Sequence, residues 1–303
     1  YKRQMQSSDA YSGRLVYYGD VTGDDMQAVS STKRVANYYR FNFTKDDNPS
    51  SHWSYLYSII QNCNLILMNI DKLVIDEDDK AYRDDLKGEA LAIRGLALFD
   101  LTRIFGYPYL KDNGASLGVP IIEGLSTIDS KPTRNTVAQC YTKIIDDLTQ
   151  SLSLLGEKFN KGKINKWGAM VLLSRVYLYK GENANALKMA SDAIIGAEKN
   201  KYALWTNEDY PTAWGEDASA SKPGEVLFEI VNLTTDSPGK ESMGYLNSYD
   251  GYDDMCITCS FYQFLKEDPK DIRLKLLSFD KKYYAYVNKY QPQREENIED
   301  ANI

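Results

Sequence analysis

The side chains best suited to acid–base chemistry in this sequence are carboxylates that occur as neighbours. They lie at Asp24 and Asp25, Asp46 and Asp47, Asp76 to Asp79, Asp146 and Asp147, and Asp253 and Asp254. A glycoside hydrolase holds two carboxyl groups roughly 5 to 10 Å apart across a cleft, and adjacency in sequence neither shows nor excludes that geometry. Helix caps and solvated turns account for most such pairs, so a hydrolase is the minor alternative.

Histidine and cysteine offer little for metal or nucleophilic chemistry. His52 is the single histidine, which removes the His-rich metal sites. Cys256 and Cys259 form one C-x-x-C without the second pair that a structural zinc site requires, and Cys63 and Cys140 occupy apolar helical positions typical of buried thiols. Asp250 to Asp254 lacks the spacing of a calcium loop. We therefore expect no cofactor, with calcium at this segment as the one alternative.

The aromatic residues are the better candidates for binding. The chain has 24 Tyr, 9 Phe and 4 Trp, so most rings carry a hydroxyl group beside an apolar face. Flat rings in loops pack against the C–H faces of sugars, while neighbouring polar groups hydrogen-bond the hydroxyls. Two readings of Trp205 and Trp214 remain open, since these rings could equally pin their own loops. The predicted ligand-binding residues are Trp205, Tyr210, Trp214, Tyr245, Asn247, Tyr249, Asp250 and Tyr252, with Asp47 and Asn48 as weaker additions.

Composition narrows the class of protein. The 303 residues are 43% apolar and carry a net charge of −7, with a pI near 5.0 and a mean hydropathy of −0.48. An acidic chain without a concentrated basic face is poorly suited to nucleic acid and better suited to a neutral or cationic ligand. Its apolar runs are far shorter than a membrane-spanning helix.

Apolar residues at three- and four-residue steps predict the elements that must position these side chains. Five amphipathic helices are expected, at about 53–70, 79–106, 137–155, 165–180 and 183–199, with the first two packed antiparallel. Thr136 and Gln139 form a predicted capping box at the start of the third helix. Residues 1–51 predict irregular structure with short strands, and Glu225 to Val231 predicts a strand. The expected fold is mainly α, with an irregular, loop-rich half.

The last two predicted helices follow the spacing of the tetratricopeptide pattern, in which small residues lie where paired helices cross. The matching residues are Leu173, Ser174, Tyr177, Gly181, Ala186, Ala190 and Ala193. Weaker matches in the flanking helices favour a short stack of helical pairs.

The order of these segments resembles the SusD/RagB family of glycan-binding outer-membrane lipoproteins of Bacteroidetes, over about residues 15 to 290. The resemblance is carried by HWSYLYSIIQNCNLIL, KGEALAIRGLALFDLTRIFGYPYL, the GVPI loop, KPTRNTVAQCYTKIIDDL, KINKWGAMVLLSRVYLYKGENANALKMASDAI and FYQFLKEDPKDIRLKLL. In the last segment, Asp271 and Arg273 form an acid-x-Arg pair.

The resemblance implies a SusD-like fold and a non-enzymatic, surface-exposed, lipid-anchored protein of the outer membrane. Such a protein captures oligosaccharides for a TonB-dependent β-barrel transporter, with its tetratricopeptide-like helices facing the barrel. The expected organisation is a single SusD-like domain over 1–303, with helices in 52–200 and the ligand-binding part in 1–51 and 201–303. Because family members extend further, we expect the chain to be incomplete at its C-terminus, and the lipid anchor is expected from the resemblance alone. A helical-repeat adaptor that binds only protein is the alternative from another class.

Overall fold

The computed structural model of the chain describes residues 2–44, 50–127, 129–160, 162–214, 224–231, 239–282 and 284–290. The chain divides into two compact units. The first contains residues 53–203 and 225–229, and the second contains 2–52, 204–224 and the residues from 230 onward.

The first unit is built from helices α4 (Ser50–Asn69, from Trp53 onward), α5 (Lys80–Phe105), α6 (Val137–Leu152), α7 (Lys166–Lys180) and α8 (Asn183–Lys199). These are the five helices that the sequence predicts. The Thr136–Gln139 capping box is present at the start of α6, and Asn165 caps α7 by accepting a hydrogen bond from Gly168.

Helices α4 and α5 pack antiparallel, as predicted. The Trp53 ring meets Phe105 at 5.0 Å, at the start of one helix and the end of the other. At the opposite end, Lys87 forms an ion pair with Asp71, just beyond α4. Between these contacts, Arg94 donates to Asn64 Oδ1 at 2.8 Å.

The α7–α8 pair is a tight helical hairpin. Gly181 ends α7 in the left-handed region, with φ of 84°, a conformation that favours glycine. The Ser174 hydroxyl donates to the Ala186 carbonyl at 2.8 Å, which requires close approach of the two helices. The indole of Trp167 lies directly against Gly196, leaving no room for a β-carbon there.

The second unit has short helices and two small sheets. Its helices are α1 (Lys2–Met5), α2 (Arg14–Val21), α3 (Ala36–Tyr39), α9 (Met243–Asn247) and α10 (Cys259–Lys266). Strand β1 (Met26–Ala28) pairs antiparallel with β2 (Met255–Ile257), and β3 (Leu277–Phe279) pairs antiparallel with β4 (Ala285–Val287). A core of buried residues joins these elements: Val21, Met26, Val35, Leu246, Met255, Ile257 and Ala285.

Two local predictions are wrong. The segment before residue 52 is not merely irregular with strands, because α1, α2 and α3 form there beside β1. The described residues 224–231 contain no strand, although their apolar run predicts one at Glu225 to Val231. Leu227 instead packs on the cluster of Trp167, Ala197 and Tyr202, so its apolar character serves helix packing rather than a sheet.

The four cysteine thiols differ in burial. Cys63 and Cys140 are buried, as predicted, and burial raises the pKa of the Cys63 thiol to about 12. Cys256 is buried in β2, whereas Cys259 is exposed at the start of α10. No helix among the described segments is long and apolar enough to cross a membrane.

Candidate functional site

Helix α9 and the loop after it bring three of the predicted residues together. Ser242 caps α9 by accepting a hydrogen bond from Tyr245 N. The loop then folds back, because Tyr252 N donates to Tyr245 O at 3.0 Å and Asp254 N donates to Leu246 O at 3.1 Å. Gly251 permits this return, since a β-carbon there would collide with the Tyr245 carbonyl. The Tyr245 and Tyr252 rings consequently meet edge to face at 5.2 Å.

The third member, Tyr249, lies against the side of the second sheet. Its ring centroid is 5.8 Å from that of Tyr286 in β4. Tyr249 and Tyr252 are 43% and 37% exposed, so both keep ring surface open to solvent. We call Tyr245, Tyr249 and Tyr252 the tyrosine group.

Two cationic residues that precede α3, Lys33 and Arg34, contact Tyr252 of the tyrosine group. The Arg34 guanidinium lies 3.8 Å from the Tyr252 ring centroid, and its Nη1 donates to both oxygens of Glu241 at 3.0 and 3.2 Å. Arg34 Nε is also 3.5 Å from Asp254 Oδ2. Neighbouring Lys33 donates to the Tyr252 carbonyl at 2.6 Å.

Two of the three carboxylates of this loop, those of Asp253 and Asp254, are already occupied by protein partners. Asp253 accepts a hydrogen bond from the Tyr286 hydroxyl at 2.5 Å and lies 3.3 Å from Lys33 Nζ. Burial and the Asp253 carboxylate raise the pKa of Tyr286 above its ordinary value. Burial raises the pKa of Asp254 too, against the opposing effect of Arg34. Over the described ranges no three His, Cys, Asp or Glu side chains are grouped so that they could hold a metal ion.

The other predicted residues of this loop differ in access. Asp250 is exposed, and its backbone N–H donates to the Ser248 hydroxyl. The side-chain oxygen Oδ1 of Asn247 is shielded from solvent and has no hydrogen-bond partner among the residues the structure describes. Asp250 can therefore reach a ligand directly, whereas the amide oxygen of Asn247 faces the protein.

Tyr210 and Trp214 form a second aromatic cluster. Their rings meet edge to face at 5.5 Å, Tyr290 lies 6.4 Å from Trp214, and the Lys289 ammonium is 3.6 Å from the Trp214 ring centroid. Trp205 packs against the backbone of Gly224, where an added β-carbon would collide with the indole. All three predicted rings are partly buried, which fits loop pinning at least as well as ligand stacking.

The weaker candidates Asp47 and Asn48 lie outside the described residues. Two surface grooves also involve none of the predicted positions. One, of about 290 Å³, lies in the second unit between α10 and β3 and is lined by Tyr262, Lys266, Pro269, Leu274, Leu277 and Phe279. The other, of about 370 Å³, lies along the α7–α8 hairpin beside Trp167.

Sequence reasoning missed Arg34, Lys33 and Tyr286, which hold the tyrosine group in place. The hydrogen bond from Lys33 to Tyr252 spans 219 positions. The pairing of β1 with β2 brings these segments together, and both strands have three residues. Strands this short leave almost no periodic signal to detect.

Comparison with known proteins agrees with this architecture. The SusD-like family model described as starch-binding and associating with the outer membrane matches residues 4–178. A Bacteroides vulgatus protein named for sugar binding is 82% identical, with a TM-score of 0.95 over 100% of this chain and 68% of its own. A SusD superfamily protein from the same species is 36% identical, with a TM-score of 0.90 over 99% of this chain and 69% of its own.

A curated SusD-like protein of Bacteroides ovatus is 27% identical over 135 residues, which are 44% of this chain. The matched part spans only 23% of that relative's length.

Proposed function

Because the chain belongs to the SusD-like family, we propose that it binds oligosaccharides and delivers them, unchanged, to a TonB-dependent β-barrel transporter. The observation that carries the proposal is the 82% identity, over the whole chain, to a protein named for sugar binding. The transporter and a lipid anchor in the outer membrane follow from the family resemblance, and the family model's description supports the membrane association.

The tyrosine group is the proposed sugar-binding surface. Tyr249 and Tyr252 present open ring area, and Arg34 covers one face of Tyr252, fixing the ring before a ligand arrives. Covering the exposed part of each residue, about two fifths of its surface, contributes at most roughly 2 kcal/mol. Two such rings, less the cost of association, correspond to binding between millimolar and micromolar.

Binding without conversion is supported by the partners that already engage two carboxylates of the loop, Asp253 and Asp254. Asp253 and Asp254 are held by Lys33, Arg34 and the Tyr286 hydroxyl. A general acid or base must instead be free to exchange a proton with its substrate. These carboxylates therefore serve better as supports for the rings than as catalytic groups.

Calorimetry on glycans selected from an array tests the proposal. Tyr249→Ala and Tyr252→Ala should each weaken binding about tenfold while leaving the protein folded. Tyr82→Ala is the matched control, because Tyr82 is an exposed tyrosine of the first unit, 59% exposed. Absence of binding to every glycan, or appearance of new reducing ends on incubation, would refute binding without conversion.

Trp205, Tyr210 and Trp214 remain proposed ligand residues. Alanine variants distinguish the two interpretations, loop pinning and ligand stacking. Replacing a ring that pins its loop should lower the melting temperature, whereas replacing a ring that stacks on the ligand should lower the affinity. If Trp205→Ala and Trp214→Ala leave affinity unchanged, these indoles are structural.

The exposed apolar side chains of α7 and α8 favour a protein-facing role for the hairpin, as expected for transporter contact. Leu178, Leu187, Ile194 and Ile195 are all more than half exposed. Co-purification of wild-type protein with a β-barrel transporter, lost in Leu187→Asp and Ile194→Asp, tests this role. Co-purification with a soluble protein alone would favour the helical-repeat adaptor instead.

A further inference from the structure

The turn after α3 carries two exposed phenylalanine rings. Phe41 is 64% exposed and Phe43 is 40% exposed. Their ring centroids are 6.2 Å apart, with planes at 89°. Phe43 also packs on Tyr38 at 5.8 Å and on Tyr18 at 6.1 Å, so it is anchored while Phe41 projects. We call Phe41 and Phe43 the phenylalanine turn.

The backbone of this turn is one in which glycine is the favoured residue. Asn42 N donates to Asn37 O at 2.9 Å, and Phe41 N donates to Tyr38 O at 3.0 Å, the two bonds of a Schellman motif. Phe41 occupies the left-handed position, with φ of 53°. A side chain there strains the backbone, and a ring so exposed recovers little by burial. Phe41 thus costs the fold stability, which points to a contact outside the fold.

The phenylalanine turn follows the C-terminal end of α3, and Arg34, which contacts the tyrosine group, precedes the N-terminal end of the same helix. Arg34, which stacks on Tyr252, precedes Phe41 by seven positions along a segment held by helical hydrogen bonds from Tyr39 N to Val35 O and from Arg40 N to Ala36 O. At 1.5 Å per residue, the two positions lie about 10 Å apart along the segment. An extended oligosaccharide is long enough to contact both.

We propose that the phenylalanine turn is a second sugar-stacking subsite, which binds the same extended, neutral oligosaccharide as the tyrosine group. The exposed ring of Phe41 offers an apolar face to the C–H groups of a sugar, and the exposed Arg40 and Asn42 beside it supply donors and acceptors for hydroxyls. At the tyrosine group, contacts to hydroxyl groups rather than to charges are expected, because Lys33 and Arg34 are already paired with carboxylates. The inference rests on the proposed function.

Phe41→Gly separates binding from folding. The variant relieves the left-handed strain, so its melting temperature should equal or exceed that of wild type. Affinity gels containing starch, laminarin, xylan or mannan, followed by calorimetry with di- and longer oligosaccharides, measure binding. We expect about tenfold weaker binding of long oligosaccharides and unchanged binding of disaccharides. Phe41→Trp should retain binding, and Phe41→Leu, which keeps apolar bulk without a flat ring, should not.

Phe264→Ala is the matched control, since Phe264 is a 57% exposed phenylalanine on α10 of the same unit. It should bind every polysaccharide as wild type does. If the gels retard Phe41→Gly as strongly as wild type, the proposed subsite is wrong while the proposed function stands. If wild type is retarded by none of the polysaccharides, both fail. A marked fall in the melting temperature of Phe41→Gly would also contradict the argument, because the ring would then serve the fold.

Discussion

The guanidinium carbon of Arg34 lies 3.8 Å from the centroid of the Tyr252 ring. The same side chain is an ion partner of Glu241 at 3.0 Å and of Asp254 at 3.5 Å, and Asp254 is almost fully buried. A single residue before α3 thereby fixes both the ring and the carboxylates of a loop more than 200 positions away in the sequence. The candidate surface is therefore organised before a ligand binds, which lowers the entropic cost of binding.

Two substitutions of Arg34 distinguish the contribution of its charge from that of its planar guanidinium group. Arg34→Met leaves Asp254 without its guanidinium partner, and we expect the free energy of unfolding to fall by about 1 to 3 kcal/mol. Arg34→Lys keeps the charge but not the planar stacking, so it should lose less stability while still weakening glycan binding. Urea denaturation and calorimetry measure the two effects. If Arg34→Met is as stable as wild type, the pairing of Arg34 with Asp254 does not stabilise the fold.

A second prediction concerns the buried ion pair between α5 and α6. Arg94 donates to both oxygens of Asp147 at 2.7 Å, and the Asp147 side chain is fully buried. Asp147→Asn leaves the buried guanidinium of Arg94 without a negative charge beside it. We therefore expect the free energy of unfolding to fall by about 3 to 5 kcal/mol.

The exposed pair Lys188–Asp192 on α8 provides the control for this substitution. Asp192→Asn should change stability by less than about 1 kcal/mol, because solvent screens the pair. Both variants are measured by urea denaturation. Equal, small effects of Asp147→Asn and Asp192→Asn would contradict a stabilising role for the buried pair.

The fold of the first unit could be predicted from sequence because its contacts are local and periodic. Helix α6 carries apolar residues at helical spacing, and the Thr136–Gln139 capping box at its start is a signal within four residues. The second unit depends on non-local pairing, as between Met26 and Ile257 in three-residue strands. The tyrosines of the candidate site could be proposed from composition, but the partners that orient them could not.

The single histidine predicts how stability depends on pH. His52 is fully buried, and its Nδ1 lies 2.9 Å from the Asp9 carbonyl oxygen, so Nδ1 donates and Nε2 is the unprotonated nitrogen. Burial lowers the pKa of His52, against the opposing effects of the hydrogen bond and the Asp9 carboxylate, while Arg14 lowers it further. The neutral imidazole is therefore the form that the fold favours.

Because the folded pKa lies below the ordinary value of about 6.5, the unfolded chain binds the proton first as the pH falls. The contribution of His52 to the free energy of unfolding should be constant above about pH 7. It should decline below about pH 6.5 until the pH has passed the pKa of His52 in the folded protein. His52→Asn keeps a donor for the Asp9 carbonyl and removes the titration, so its stability should depend less on pH over this range. Urea midpoints between about pH 5 and 8 test this, and equal slopes for wild type and variant would exclude His52 as the cause.

Alanine should have opposite effects on stability at two helical glycines. One is Gly196, where α8 closely approaches α7, and the other is Gly19 in α2, which has open space beside it. Alanine at Gly196 would place a β-carbon inside the Trp167 ring, and despite a helix-propensity gain of about 1 kcal/mol we expect a net loss of roughly 1 to 3 kcal/mol. Gly19 in α2 has nothing within 4 Å of the added carbon, so Gly19→Ala should gain about 0.5 to 1 kcal/mol. Thermal and urea unfolding measure both. A Gly196→Ala protein as stable as wild type would mean that the indole can move away, and that the hairpin is packed less tightly than the contact implies.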